Sequence, residues 1–333
     1  MPVLSFLGVL VLLDSYKLVR LGTIVGLVLA GALVAVACRL LHDGILLGTP
    51  VSRAVLTRYV APVTEEALKG LLVFVLIRRH RVAFLVDASI CGFAVGAGFA
   101  TVENIQYFVR LEDPSLGLWM VRGFGTAIMH GGMTAIQALC ARDLVDRRGR
   151  ADLVAYLGGL APAAALHSLY NHFLLPPMLS TLVVLYGLPA IFTLVFVVSE
   201  RRTRRWLGVG FDSDADLLRA MDEGQLGETP IGRYVVSLKE HFPREALADM
   251  LCLIRLHLEL SVEAKGLLLA REAGFDLEPS EDAPAKLREM KHLEHSIGAT
   301  GKLALRPIFS MSSRDLWQLY LLGGETAGPA APT

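Results

Sequence analysis

Seven runs of apolar residues divide the first 200 residues of the chain, and short polar segments separate them. A helix needs about 20 mostly apolar residues to cross the hydrocarbon core of a bilayer. The pattern therefore predicts an all-α fold, a polytopic bundle of about seven transmembrane helices, over these ranges: 3–14, 21–42, 59–77, 87–109, 118–140, 152–174 and 178–199. The first run is the shortest, and it completes a crossing only if the long side chain of Lys17 reaches the interface.

Composition and charge support a membrane location. The chain is 53% hydrophobic and 19% charged, which is more apolar than soluble proteins of this length usually are. Its formal net charge is zero, so it lacks the basic field on which nucleic-acid binding relies. We expect a multi-pass protein of the cell membrane, surrounded by the lipid bilayer and without a nucleic-acid partner.

Basic residues mark one side of the predicted membrane domain. Lys and Arg are concentrated at Lys17, at Arg20 and in the segments 78–81, 142–150 and 201–205. The alternate loops are neutral or acidic. Because basic loops are retained in the cytoplasm, this alternation predicts an N-terminus outside the cell and a cytoplasmic C-terminus.

The composition changes near Trp206, where mixed charge replaces the apolar runs. We predict a membrane domain over 1–200 and a small helical cytoplasmic region over 206–333, with a linker near 275–284 and a flexible tail at 324–333. Within this region, apolar side chains recur on one helical face at Leu247, Leu251, Ile254 and Leu258. The stripe predicts the core of a small helical domain, and the alternative is the contact surface of a homodimer.

Ionisable side chains interrupt the third and fourth predicted spans. The third span contains Glu65, Glu66 and Lys69, and the fourth contains Glu103 and Asn104. An ionisable group in the middle of a span costs roughly 2.5–3.5 kcal/mol on insertion, so a cluster of them indicates a function. Lys69 lies one helical turn from both neighbouring glutamates and can pair with one while the other stays available. The simpler alternatives are a salt bridge between helices and, for Asn104, an interhelical hydrogen bond.

The fifth and sixth predicted spans add imidazole groups. His130 precedes two glycines in the fifth span, with Arg122 two turns before it. His167 and Asn171 are four residues apart in the sixth span, so they project from one helical face. At about 1.5 Å of rise per residue, all four spans carry their polar groups to overlapping depths, nearer the extracytoplasmic side. The pattern therefore predicts one shared polar chamber.

These side chains indicate a hydrolytic site. Glu65, helped by Glu66 and Glu103, would activate a water that attacks a peptide carbonyl. His167 and Asn171 would donate hydrogen bonds to the oxyanion that forms.

A zinc site is the alternative arrangement of the same residues. His130, His167 and a glutamate are the ligand types of catalytic zinc, although the sequence has no HExxH motif. His130 would position either the water or the metal, with Lys69, Asn104 and Arg122 in supporting roles. The residue pattern leaves the metal-free and the zinc-dependent site equally open.

Four motifs occur in order on successive spans, and they are EEALK at 65–69, FATVEN at 99–104, His130 and HSLYN at 167–171. Together they resemble the PrsW family of intramembrane proteases, within the superfamily of CAAX proteases and bacteriocin-processing membrane proteins. The resemblance covers roughly residues 1–200, and it implies a peptidase domain that cuts a membrane-anchored protein, typically an anti-sigma factor, near the extracytoplasmic surface. CAAX relatives carry a histidine where this chain has Glu103, which leaves open whether Glu103 contacts water, a metal or another helix.

Two functions of other classes use similar side chains. Intramembrane carboxylates and histidines also form relays in proton-coupled or ion-coupled transporters, but no inverted repeat is visible in the sequence. A noncatalytic membrane scaffold would instead present the C-terminal helices to a partner. A transporter would show transport without cleavage. A scaffold would show neither transport nor cleavage.

Overall fold

In the computed structural model of the protein, the described residues are 2–14, 16, 18–109, 115–275, 277–309 and 322. Every regular element that these residues form is a helix. The chain divides into two compact units, Met1–Glu200 and Arg201–Thr333. The predicted flexible tail at 324–333 lies outside the described residues, as does Lys17.

The first unit is a helical bundle, and its helices overlap each of the seven predicted spans. They are α1 (Pro2–Leu13), α2 (Leu21–Gly48), α3 (Arg53–Val55), α4 (Ala61–Arg78), α5 (Leu85–Phe108), α6 (Leu116–Met120), α7 (Ala127–Arg148), α8 (Leu153–Asn171) and α9 (Pro177–Asp222), of which residues 177–200 belong to this unit. A first π turn, Leu56–Val60, joins α3 to α4, and a second π turn, Val121–Thr126, joins α6 to α7. Both π turns lead directly into helices that carry site residues.

Within the described residues, four helices are long and apolar enough to cross a membrane, namely α2, α5, α8 and α9. Helix α1 is apolar but shorter. Helices α4 and α7 are less apolar because they carry buried polar side chains such as Glu66, Lys69 and His130. The chain is thus a multi-pass membrane protein, and the count of seven crossings stays a prediction.

Helix α5 occupies the interior of the bundle, where it packs against α2 and α7. Small residues allow this close approach. A Cβ atom at Gly98 would lie 1.9 Å from the carbonyl oxygen of Val28 in α2, and one at Gly96 would lie 2.4 Å from that of His130 in α7. Since backbone atoms cannot move aside as a flexible side chain does, the two glycines set the spacing of the three helices.

Gly98→Ala is expected to lower stability by about 1–3 kcal/mol, the usual cost of forcing extra volume into a packed interior. Thermal unfolding in detergent micelles measures the effect. Gly26→Ala is the matched control, because a Cβ atom at Gly26 on the neighbouring helix α2 meets nothing within 4 Å. Equal melting temperatures for the two variants would contradict the close contact between α2 and α5.

Two buried charged residues, Asp87 and Arg142, bond the backbone of the segment that precedes α5. Asp87 accepts hydrogen bonds from the backbone N–H groups of Ala83 (3.3 Å) and Phe84 (3.0 Å), and so it caps the helix. The fully buried Arg142 donates to the carbonyl oxygen of Ala83 (3.0 Å) and to Asp146 (2.7 Å). These bonds fix the loop between α4 and α5 at the end of the bundle that carries the basic loops.

Two helices extend beyond their predicted ends. Helix α2 continues to Gly48 instead of ending at 42, and the Arg39–Asp43 ion pair (2.7 Å), one turn apart, stabilises the extension. Helix α9 runs to Asp222 without a break near Trp206, because no glycine or proline interrupts the sequence between Pro189 and Gly208.

The second unit has its own apolar core. Its further helices are α10 (Pro230–Ser237), α11 (Arg244–Glu272), α12 (Ala283–Ser296) and α13 (Gly298–Leu305), with short 3₁₀ turns at Leu226–Glu228 and Leu238–Glu240. Leu247, Ile254 and Leu258 of the predicted stripe are buried in this core, so their surface is used inside the unit. The predicted linker corresponds to the segment between α11 and α12, apart from residue 276, which the structure does not describe.

Candidate active site

Glu66 lies at the centre of a polar cluster in the first unit, and its side chain is completely buried. Lys69 Nζ donates to its Oε1 (2.6 Å), Thr134 Oγ1 donates to its Oε2 (3.2 Å), and His167 Nδ1 lies 2.8 Å from its Oε1. An ionised carboxylate only accepts hydrogen bonds, so His167 donates through Nδ1 and keeps a lone pair on Nε2. Glu66 therefore fixes the orientation and the tautomer of His167.

His130 also has a carboxylate at one ring nitrogen, but at Nε2 instead of Nδ1. Its Nδ1 lies 3.3 Å from Lys69 Nζ, and its Nε2 lies 2.9 Å from Glu103 Oε2. An ammonium group only donates, so Nδ1 carries the lone pair and Nε2 carries the hydrogen that faces Glu103. The ring of Phe99 packs against the imidazole, with 5.0 Å between the ring centroids. Each of the two histidines thus places one nitrogen against a carboxylate and leaves the other with a lone pair.

Glu65 faces both lone pairs. Its Oε2 is buried, has no hydrogen-bond partner among the described residues, and lies 3.9 Å from His130 Nδ1 and 3.9 Å from His167 Nε2. Three acceptor atoms therefore converge. His130 Nδ1 already faces the Lys69 ammonium group at 3.3 Å, whereas the buried Glu65 Oε2 lacks a donor among the described residues. A cation or a donating water between the three atoms would offset the desolvation of Oε2.

Arg122 in the second π turn contacts Glu103, and Asn104 of α5 bonds Arg122. Arg122 Nη2 lies 3.2 Å from Glu103 Oε2, and Arg122 Nε donates to Asn104 Oδ1 (3.0 Å). Asn104 Nδ2 donates in return to the carbonyl oxygen of Arg122 (3.2 Å). The carbonyl oxygen of Arg122 also accepts from the backbone N–H of Ala127, so the Asn104 amide is a second donor to it. Among the described contacts, Arg122 joins Asn104 to the polar cluster.

Asn171 serves the first π turn in a similar way. Its Nδ2 donates to the carbonyl oxygen of Thr57 (3.0 Å), and Ser168 Oγ donates to that of Arg58 (2.5 Å). His172 faces away from the cluster and bonds the carbonyl oxygen of Ser168 (2.7 Å) through Nδ1. Asn171 therefore has a structural contact that the sequence did not indicate, and its second amide hydrogen remains for another acceptor.

A cavity of about 700 Å³ reaches this cluster. Among its lining residues are Glu65, Glu103, His130 and His167. The end of α2, the start of α3, the ends of α5 and α8, and the start of α6 form its other walls. These helix ends lie opposite the loops that connect α4 to α5 and α7 to α8, so the cavity opens at the end of the bundle away from the basic loops.

Sequence reasoning missed His42 of α2. Its ring lines the cavity, with Nε2 2.8 Å from Thr64 Oγ1 and Nδ1 3.9 Å from Glu65 Oε1. The predicted end of the second span at residue 42 placed His42 at a helix boundary, although α2 continues to Gly48. The available signal was its spacing of four residues from the buried Cys38, which places both on one helical face.

Buried carboxylates and imidazoles line a cavity inside a bundle of apolar helices, and these are side chains that a membrane-embedded hydrolase uses. Residues 16–199 match the sequence model of the PrsW family of intramembrane metalloproteases. The match covers more than half of the chain, so the chain belongs to this family and is an intramembrane protease, a peptide hydrolase. No curated protein and no solved structure matches the chain.

The family description implies a metal, and the site residues fit one. One ligand atom each from Glu65, His130 and His167 lie within 4.8 Å of one another. Zinc bonds of about 2.0–2.2 Å in a tetrahedron place ligand atoms roughly 3.4 Å apart. Two of the three separations are 3.9 Å and all three are within 4.8 Å, so the ligand side chains must move closer together to bind zinc. His167 and His130 also carry the carboxylate partners that metal-bound histidines usually have, Glu66 and Glu103.

The charge of the cluster also favours a cation. When the carboxylates of Glu65, Glu66 and Glu103 are all ionised, the two cations Lys69 and Arg122 leave one negative charge uncompensated. Lys69 contacts His130 Nδ1 at 3.3 Å and Glu66 at 2.6 Å. Binding of a metal at Nδ1 requires the longer contact to open, and the shorter bond to Glu66 then holds the ammonium.

Proposed function

We propose that the chain is a zinc-dependent intramembrane endopeptidase in which Glu65, His130 and His167 hold the metal. The observation that carries the proposal is the convergence of three acceptor atoms, two lone-pair nitrogens and the unpartnered Oε2 of Glu65. When bound, zinc supplies a Lewis acid that polarises a carbonyl group and makes its water more acidic at neutral pH. The residues of the chain supply orientation, proton transfer and a site shielded from bulk water.

The roles of the carboxylates follow from their contacts. Glu66 and Glu103 hold His167 and His130 in the tautomers that direct a lone pair toward Glu65. Arg122 holds Glu103 in place. Glu65 Oε1 is the oxygen that does not face His130 and His167, and it accepts a proton from the hydrolytic water. Water adds across the peptide bond: its oxygen bonds to the carbonyl carbon, the C–N bond breaks, and Glu65 passes the proton to the leaving amine.

The donor to the oxyanion in this arrangement is Asn171, not His167. His167 uses its ring hydrogen for Glu66 and presents only a lone pair to the site. Asn171 lines the cavity and retains one amide hydrogen after its bond to the carbonyl oxygen of Thr57. A positioned amide donor of this kind stabilises developing negative charge on a carbonyl oxygen.

The substrate in this proposal is a membrane-anchored protein, such as an anti-sigma factor, that enters at the open end of the cavity. The basic segments lie at the opposite end of the bundle, and basic segments are retained in the cytoplasm. We therefore place the N-terminus outside, the C-terminus in the cytoplasm, and the cleavage position near the extracytoplasmic surface.

The test uses the full chain in proteoliposomes with a set of single-pass test proteins that differ in sequence at their extracytoplasmic boundary. We expect cleavage of at least one test protein in this region, loss of cleavage with o-phenanthroline and recovery with added zinc. In water enriched in ¹⁸O, mass spectrometry should find one ¹⁸O atom in the new C-terminal carboxyl group. Cleavage that is unchanged by complete removal of metal would contradict zinc dependence, and ion flux without any cleavage would contradict the peptidase itself.

A further inference from the structure

His42 faces the carboxylate that the proposed reaction uses as its proton acceptor. The contact comes from α2, which contributes none of the proposed metal ligands or their carboxylate partners. His42 Nδ1 lies 3.9 Å from Glu65 Oε1, whereas the two ligand histidines face Glu65 Oε2. The Glu65 carboxylate thus has two sides, and His42 lies on the side directed away from the ligands.

The contacts of Thr64 bear on the tautomer of His42. The Thr64 hydroxyl lies in position to donate within its own helix, to the carbonyl oxygens of Val60 (3.0 Å) and Ala61 (3.2 Å). When its single hydrogen is used there, Thr64 Oγ1 accepts from His42 Nε2, which lies 2.8 Å away. In that arrangement His42 Nε2 carries the hydrogen, and the lone pair on Nδ1 is directed toward Glu65.

The gap between His42 and Glu65 suits one water molecule. His42 Nδ1 and Glu65 Oε1, 3.9 Å apart, are too distant for a direct hydrogen bond. A water that donates to both at about 2.8 Å spans close to this separation. Its two hydrogens are then used by His42 Nδ1 and Glu65 Oε1, which leaves the oxygen lone pairs free.

We propose that His42 is a water-positioning residue for the peptidase reaction, and that it holds the hydrolytic water together with Glu65. The inference rests on the proposed function. During attack, the proton shared with Glu65 moves to Glu65 and then to the leaving amine, while His42 keeps the second hydrogen of the water as a hydrogen-bond acceptor. His42 therefore orients the nucleophile and does not take the proton.

Two substitutions separate water positioning from helix packing. The Asn side chain places an acceptor where His42 has Nδ1, whereas the Gln side chain places its amide where His42 has Nε2. We expect His42→Gln to lower kcat by about 10²-fold with little change in KM, and His42→Asn to stay within about tenfold of the wild type. If His42 only holds the helices together through its bond to Thr64, the order of the two activities is reversed. His42→Gln is then the more active variant, because Gln keeps that bond and Asn loses it.

The assay uses the full chain, a single-pass test protein that the wild type cleaves, and His241→Gln and His241→Asn as matched controls at an exposed position of the second unit. The reverse order of activities, or equal activities, would overturn the role of His42. Absence of cleavage by the wild type would instead count against the proposed function. Zinc content should be the same in the wild type and in both His42 variants. Loss of zinc in either variant would also overturn the proposal that His42 only positions the hydrolytic water.

A second measurement does not depend on turnover. In protein labelled with ¹⁵N-histidine, the signals that disappear in His42→Gln belong to His42. We expect them to report a protonated Nε2 and an unprotonated Nδ1. Thr64→Val should change the ratio of the two imidazole tautomers of His42, whereas Thr64→Ser should preserve it. A protonated Nδ1 in the wild type would overturn the inference, because no acceptor would then face the water.

Discussion

Glu65→Gln is expected to reduce kcat for peptide cleavage by at least about 10³-fold, because the substitution removes a proton acceptor and weakens a metal ligand at once. The Gln side chain has almost the same shape, so the helix and its buried neighbours should be kept. The measurement is the cleavage rate of a single-pass test protein by the full chain in proteoliposomes at saturating substrate. Unchanged KM would show that substrate binding survives.

The matched control for this substitution is Glu240→Gln, which changes an exposed carboxylate in the second unit. Its cleavage rate should equal that of the wild type. A Glu65→Gln variant that retains activity within tenfold of the wild type would contradict the assignment of Glu65 as the reacting carboxylate. It would leave the membership of the chain in the protease family unaffected.

The zinc affinity of single variants should distinguish the metal ligands from the carboxylates that orient them. We expect His130→Ala and His167→Ala to lose bound zinc, because two protein ligands rarely suffice for a catalytic site. Glu66→Gln and Glu103→Gln should weaken zinc binding by about 10–100-fold, since each loses the charge that orients a ligand histidine. Metal analysis of the purified variants, followed by titration with a zinc-sensitive competitor dye, measures both effects.

His241→Ala is the control for the zinc measurement, because His241 is exposed and lies in the second unit. It should bind zinc as the wild type does. Equal zinc content in all five variants would contradict the ligand set. A larger loss in Glu66→Gln than in His167→Ala would indicate that the carboxylate is a ligand and the histidine its support, which reverses the proposed roles.

The helices and much of the cluster could be predicted because both follow from local patterns. Apolar runs define membrane helices, and a buried charge in such a run is costly enough to mark a function. Glu65, Glu66 and Lys69 are close in sequence, so helical geometry alone limits their possible pairing. Matching depths in four spans then indicated that His130 and His167 belong to the same chamber, and the structure brings them within contact of Glu65 and Glu66.

The contacts between helices could not be predicted in the same way. Helical periodicity shows which residues share a face, but it does not show which atom of another helix lies opposite. Asn171 follows His167 by one turn, which suggested a shared role, yet its amide bonds the carbonyl oxygen of Thr57 in the first π turn. Neither π turn has a clear sequence pattern, so the bonds that Asn104 and Asn171 donate to their carbonyl oxygens were not visible in the sequence.

His42 illustrates a further limit. Its proposed role depends on a contact with Thr64 and on the continuation of α2 beyond the apolar run, through the Arg39–Asp43 pair. Hydropathy places the end of a helix where apolar residues stop, whereas an ion pair one turn apart can continue the helix into a polar cavity wall.

The measurement that tests the central claim most directly is zinc X-ray absorption spectroscopy on the purified wild-type chain in detergent, together with its zinc content. The account predicts one zinc per chain, bound by two imidazole nitrogens and by oxygen atoms at about 2.0–2.2 Å, without sulfur. A chain that cleaves its substrate with no stoichiometric zinc, or zinc bound through cysteine sulfur, would contradict the site formed by Glu65, His130 and His167.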